Sequence, residues 1–268
     1  MELEYIVVQA GGKGTRMDKL TRNKPKALVP VGGKPLIEHV LDKLSSVHDS
    51  STGETLFSEA VVNVHHFADS IETWIKERKL SADACRSMSV RVSDERSCLL
   101  ETGGGILHAR PLLQGCGSFL VHNVDILSDL DISWFVSQVA RESLATVLVS
   151  SRKTSRYLLF EPETMRLVGW TNVATGEVRS PYPDLDPASC LAYAFSGIHI
   201  LSDKVFDEMD AYVKKRGLSD NPRFPIMDFY LYVCASCDIR GVIAEDLKLV
   251  DVGKLDSLEQ AESLYLSL

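Results

Sequence analysis

The chain lacks any apolar stretch of membrane-spanning length. Its longest run free of Asp, Glu, Lys and Arg is Pro187 to Ser202, and Ser189, Ser196, Gly197 and His199 interrupt it. A bilayer span needs about 20 mostly apolar residues, so no membrane segment is expected. Cysteine is scarce, with six residues in 268 (Cys85, Cys98, Cys116, Cys190, Cys234, Cys237), too few for a disulfide scaffold. The start Met1-Glu2-Leu3-Glu4 carries neither a basic segment nor a small-residue cleavage site, which predicts a cytoplasmic protein with reduced thiols. Cys234 and Cys237 form one C-x-x-C without a second pair, in a mostly apolar segment, and read as packing residues rather than a zinc site. With 17 Gly and 10 Pro, collagen-like and low-complexity classes are excluded. An excess of positive charge is missing too: the net charge of −8 argues against general nucleic-acid binding.

What remains is an ordinary globular composition, 45% hydrophobic and 25% charged, on a chain long enough for a sizeable core. Nothing in it points to a particular oligomeric state. The charge is unevenly spread. Between Lys13 and Lys34 lie seven basic residues (Lys13, Arg16, Lys19, Arg22, Lys24, Lys26, Lys34) and one acid, Asp18. A cationic segment on an acidic chain suits a compact polyanion such as a nucleoside triphosphate.

Up to Ser150, short β-branched runs alternate with helical patterns. Glu4–Ala10, Ala60–Val64, Ser89–Val92, Ser118–Val121 and Ala145–Ser150 read as strands. Helices are predicted from Leu36 to Leu44, from Ala68 to Arg78, from Gly103 to Ala109 and through Trp134, Phe135 and Val139. This is the rhythm of parallel βαβ units. Beyond Ser151, Tyr157–Phe160, Leu167–Thr171 and Ala192–Leu201 look antiparallel. Helices Asp203–Lys215 and Ile226–Ser236, a strand into Val250-Asp251 and a helix Leu255–Leu266 complete the chain. The expected fold is α/β: a Rossmann-like, mixed but mainly parallel sheet flanked by helices. It forms a single domain over 1–268, with 1–151 as the part of alternating strands and helices and 152–268 as the mainly antiparallel part with closing helices.

Gln9-Ala10-Gly11-Gly12-Lys13-Gly14-Thr15-Arg16 follows the first strand directly. Glycines there let the backbone approach a phosphate chain, and Arg16 adds a planar multidentate donor. A dinucleotide fingerprint fails because Met17 stands where the third glycine is needed. A Walker A loop fails because Val29 and Pro35 occupy required positions around Gly33-Lys34.

Gly11-Gly12-Lys13-Gly14-Thr15-Arg16, Leu20-Thr21, Lys24-Pro25-Lys26-Ala27-Leu28 and Pro30-Val31 together resemble the signature of sugar-1-phosphate nucleotidyltransferases. The resemblance continues through Glu101-Thr102-Gly103-Gly104-Gly105-Ile106, Phe119–Asp125, Phe195-Ser196-Gly197-Ile198 and Val250-Asp251-Val252-Gly253, nearly the whole chain. The ETGGGI run in particular resembles bacterial N-acetylmuramate-1-phosphate uridylyltransferases. The resemblance implies that a nucleoside triphosphate, with UTP favoured, and a sugar 1-phosphate are joined into a nucleoside-diphosphate sugar with release of pyrophosphate. It implies catalytic roles for Arg16 and Lys26, and nucleotide binding by Ala10, Gly11, Gly12, Gly14, Thr15, Arg16, Gly103 and Gly104. It further implies sugar binding by Glu101 and Gly197, and a Mg²⁺ cofactor held by Asp125 and Asp251. A hard cation takes carboxylate and phosphate oxygens, which suits that pair.

Two motifs depart from the family pattern. Val124 stands where glycine usually precedes the first aspartate, and Leu249 and Lys254 replace the outer residues of the later motif. Guanylyl- and cytidylyltransferases of the same fold, and a catalytically silent nucleotide-sugar sensor or scaffold, are the alternatives. A silent sensor would be free to lose Arg16, Lys26, Asp125 and Asp251, all of which are present. The histidines, including His65, His66 and His122, read as structural.

Overall fold

The computed structural model describes residues 3–12, 21–49, 52–80, 88–140, 142–253 and 256–265. Strand β1 (Tyr5–Gln9) is followed by a small antiparallel hairpin, β2 (Pro30–Val31) and β3 (Lys34–Pro35), that leads into helix α1 (Leu36–Ser45). Then come β4 (Glu59–Val64), α2 (Ala68–Leu80), β5 (Ser89–Asp94), α3 (Glu101–His108), α4 (Arg110–Leu113) and β6 (Ser118–Asn123). The second half holds β7 (Ile126–Ser128), α5 (Ile132–Ser137), β8 (Ala145–Ser150), β9 (Arg156–Phe160), β10 (Leu167–Asn172), β11 (Glu177–Arg179) and β12 (Leu191–Ser202). Helices α6 (Val205–Arg216) and α7 (Ile226–Val233), strands β13 (Ile239–Ile243) and β14 (Leu249–Asp251), and helix α8 (Asp256–Tyr265) complete it.

Strands β5, β4, β1 and β6 are neighbours and run parallel. The apolar runs of β4, β1 and β6 are buried on both faces, as a sheet covered by helices requires, whereas the edge strand β5 alternates buried and exposed residues. Alternation along β1 sends Ile6 and Val8 into the core beneath α1 and α2, while Val7 enters the opposite core with Phe119, Phe206 and Phe229. The mixed, mainly parallel centre matches the fold expected from the sequence.

The twelve-residue β12 turns the sheet antiparallel, pairing with β6 on one side and β8 on the other. Its register slips between Phe195 and His199, where Gly197 has φ +74°. Strands β9, β10 and β11 extend from its start as an antiparallel ribbon.

Several boundaries differ from the sequence expectation. Helix α3 begins at Glu101 rather than Gly103, α5 stops at Ser137 and α7 stops at Val233. Strand β13 went unrecognised because its five residues carry Arg240 and Gly241; it pairs in parallel with β8. Strand β14 lies outside the main sheet and pairs with β7 instead. Cys234 is buried in the apolar core and forms no disulfide.

Candidate active site

In a parallel sheet, ligands bind beyond the carboxyl ends of the strands. Here that edge carries a row of amides. Gln9 ends β1 and stands in register with Asn63 of β4 on one side and Asn123, which ends β6, on the other. A cavity of about 370 Å³ opens above this row, lined by Gln9–Gly12, Lys26, Asn63, Glu95, Glu101, Thr102 and Asn123–Asp125 among others.

Gly12 borders open space: a Cβ there would meet no described atom within 4 Å. Packing of the described residues therefore gives no reason for a glycine at this position, whereas close approach of a ligand to the backbone does. Gly14, Thr15 and Arg16, expected to continue this loop, lie outside the described residues.

Lys26 begins a single 3₁₀ turn, Lys26–Leu28, directly after Pro25. Its aliphatic stem is buried and its ammonium donates to Asp125 Oδ2, forming an ion pair at the cavity wall. Asp125 sits in the short link from β6 to β7, and its carbonyl accepts from Val252 N–H at 2.8 Å. Asp251 closes β14 opposite Ile126, the residue next to Asp125, and is exposed. Asp251 is thus brought opposite the residue next to Asp125 from 126 positions away in the chain. Among the described residues no cluster of three or more His, Cys, Asp or Glu side chains would hold a metal unaided. Two carboxylates completed by phosphate oxygens is the donor set that Mg²⁺ accepts, and Asp125 already faces a cation across the cavity wall.

Val124 is buried in the apolar core and also borders the cavity, and its N–H reaches Gln9 O at 3.3 Å. Gly197 fits against this segment so closely that a Cβ would come within 2.8 Å of Asn123 Nδ2. Among the described residues it supports the wall behind Asn123 without itself lining the cavity.

The Glu101–Gly105 run packs against the 222–225 segment. Gly103 and Gly104 both donate their N–H groups to Phe224 O, at 2.9 and 3.1 Å. A Cβ on Gly104 would sit 2.1 Å from Pro222 O, and one on Gly103 2.4 Å from the Phe224 ring. These glycines bring the 222–225 segment against α3, and their N–H groups are engaged within the chain. Glu101 and Thr102 do line the cavity. Glu101 has φ +64° and pairs with Arg223 at 2.8 Å. A left-handed backbone at a non-glycine residue is strained and concentrates at functional sites.

Gln9, Asn63, Glu95 and Asn123 were missed by sequence reading. Each lies within one residue of the carboxyl end of a parallel strand, and that position is the signal that would have found them. Gln9 Nε2 donates to Thr102 O at 2.8 Å, tying β1 to the start of α3. Asn63 Nδ2 donates both to Gly105 O at 2.9 Å and to the Glu95 carboxylate. Burial raises the Glu95 carboxyl above its ordinary value, against the lowering effect of hydrogen bonds from Asn63 and the Leu100 backbone. Burial also pushes His122 down to about 4 and His199 to about 3, so both are neutral packing groups, as the sequence suggested.

The profile of the MobA-like NTP transferase domain matches residues 6–218. The chain is 49% identical over 122 residues to N-acetylmuramate alpha-1-phosphate uridylyltransferase of Caulobacter vibrioides, a match spanning 46% of each protein. It is 30% identical over 205 residues to the protein of the same name from Neisseria meningitidis serogroup B, covering 76% of this chain and 78% of that one. Among solved structures, UDP-glucose pyrophosphorylase from Acinetobacter baumannii superposes with a TM-score of 0.70 at 16% identity, over 98% of this chain and 93% of the other. At that identity the likeness is one of fold.

Proposed function

We propose that this chain, which belongs to the MobA-like NTP transferase family and is a sugar-1-phosphate nucleotidyltransferase, uses UTP as donor and N-acetylmuramate 1-phosphate as acceptor. The observation that carries this reading is the meeting of Lys26 and Asp125 beside the open backbone at Gly12, on the carboxyl edge of a parallel sheet. That arrangement offers a phosphate chain both a cation and an uncrowded backbone. The choice of uridine and of the muramate sugar rests on the names of the two bacterial relatives.

In this reading an oxygen of the sugar phosphate attacks the α-phosphorus in line. The bond from that phosphorus to the oxygen bridging the β-phosphorus breaks, and pyrophosphate departs. Such a displacement needs alignment and charge neutralisation more than a protein nucleophile. Lys26 and Arg16 supply positive charge to the phosphates, and Ala10, Gly11, Gly12, Gly14 and Thr15 supply backbone approach. Gly103, Gly104 and Glu101 shape the floor and rim, and Gly197 sets the sugar side. Asp125 and Asp251 would hold Mg²⁺, which when bound neutralises phosphate charge. The division into a nucleotide part (1–151) and a sugar part (152–268) belongs to the same proposal, as does a cytoplasmic setting.

The test is pyrophosphate release with each of UTP, GTP, CTP and dTTP against N-acetylmuramate 1-phosphate. UTP is expected to exceed the others at least tenfold; equal or greater release with another nucleotide contradicts the proposed donor.

A further inference from the structure

Among the described residues most arginines are neutralised: Arg78, Arg91, Arg96, Arg110, Arg166, Arg179, Arg223 and Arg240 each pair with a carboxylate. The loop after β8 is different. Between Glu142 and Glu161 the sequence holds Arg152, Lys153 and Arg156 and no acid. All three are exposed, and among the described residues none has a carboxylate partner.

The place of this loop matters. Both β6 and β8 run antiparallel to β12, so the end of β8 lies at the same sheet edge as Asn123. Ser150 stands in register with Ala194, and Arg152 Nη2 donates to Phe195 O at 2.9 Å. That anchors the loop two residues from Gly197, which itself abuts Asn123. Thr154 N–H bonds the Tyr157 hydroxyl at 3.1 Å and gives the loop a defined course. Two strand spacings, about 10 Å, separate this anchor from the end of β6, roughly the reach of a substituted hexose phosphate.

We propose that Arg152, with Lys153 beside it, binds the carboxylate of an acidic sugar 1-phosphate and selects it over the neutral parent sugar. This rests on the muramate reading above, since that sugar carries a lactyl ether carboxylate that N-acetylglucosamine lacks. The phosphates are assigned to Lys26 and the glycine loop, which leaves the cations two strands away available for a second anion. The planar fork of arginine fits a carboxylate in two parallel hydrogen bonds. An acidic substrate approaching a chain of net charge −8 also needs a local positive field, and this loop supplies one. A single charge-assisted contact of this kind discriminates by about 10- to 100-fold.

The experiment measures the KM for N-acetylmuramate 1-phosphate and calorimetric binding of the muramate and glucosamine forms of the UDP-sugar. It compares the wild type with Arg152→Ala, Arg152→Lys and Arg152→Glu. Arg152→Ala is expected to raise the muramate KM and weaken muramate-product binding about 10- to 100-fold, with kcat, melting temperature and glucosamine-product binding within about threefold. Arg152→Lys restores part of the loss and Arg152→Glu deepens it. A wild type that neither uses nor binds the muramate compounds overturns the reading underneath. A wild type that prefers them, with Arg152→Ala keeping the same preference, overturns this inference alone.

Discussion

Lys26 and Asp125, 99 residues apart in sequence, form an ion pair at the cavity wall in which the lysine is the more deeply buried partner, 7% exposed against 22%. The pair joins the basic segment after β1 to the end of β6. It also sets two different consequences for its two members. Lys26→Met keeps the buried stem filled and removes the cation, so turnover is expected to fall at least ~100-fold while the melting temperature changes little. Asp125→Asn leaves a buried ammonium without its counter-charge and is expected to melt lower than Lys26→Met. Steady-state kinetics and thermal melts on both variants check this. Equal melting temperatures would mean the pair does not hold the lysine in place.

If Asp125 and Asp251 hold one ion, they act as a unit. Each Asn variant is then expected to raise the Mg²⁺ concentration needed for half-maximal activity, and the double variant to be little worse than the poorer single. A metal titration of the three proteins decides it. Multiplicative losses would place the two carboxylates in separate roles.

Val124 occupies a place where the resemblance expects glycine, and the structure buries it in the core while leaving one side on the cavity. Its backbone is not in the left-handed region, so no glycine is demanded there. Val124→Gly is expected to destabilise by about 2 kcal/mol through lost burial and added chain freedom, with the acceptor KM within about threefold. Denaturant melts and a sugar phosphate panel measure the two effects. An unchanged melt with a widened panel would make Val124 a gate for the acceptor.

How much of this could be read from residues alone depended on what kind of signal each element carried. The parallel centre was legible because β1, β4 and β6 each hold a short run of consecutive apolar residues, Ile6–Val8, Ala60–Val62 and Phe119–Val121. Lys26 and Asp125 were legible from motif resemblance, but their contact was not, because no periodicity links positions 99 apart. The packing duty of the TGGG run was not legible, for a physical reason. A glycine needed for a phosphate and one needed because Pro222 O lies 2.1 Å from its Cβ position look identical in sequence. Strand β13 was hidden by Arg240 and Gly241, which break the apolar run that a paired, half-covered strand does not require.

Acid should weaken the fold through two buried imidazoles. The unfolded chain protonates its histidines as pH falls through about 6.5, whereas burial delays His122 to about 4 and His199, which also feels His122, to about 3. Between those values the unfolded state binds more protons, so this contribution is complete above pH 6.5 and is lost progressively toward pH 4 and 3. The urea midpoint is expected to drop between pH 7 and pH 5. His199→Gln, which keeps an acceptor for the Tyr230 hydroxyl, should flatten that slope. An unchanged slope in the variant would assign the acid sensitivity elsewhere.

The central claim is that the cleft above Gln9, Asn63 and Asn123 joins a uridylyl group to an acidic sugar 1-phosphate. Its most direct test is one competition reaction containing all four nucleoside triphosphates, N-acetylmuramate 1-phosphate and Mg²⁺, with products resolved by mass spectrometry and pyrophosphate counted. The account predicts a UDP-linked muramate sugar as the dominant product, one pyrophosphate released per sugar joined, and none from a Lys26→Met control. A different nucleotide on the sugar, or pyrophosphate released without a nucleotide sugar, would contradict it.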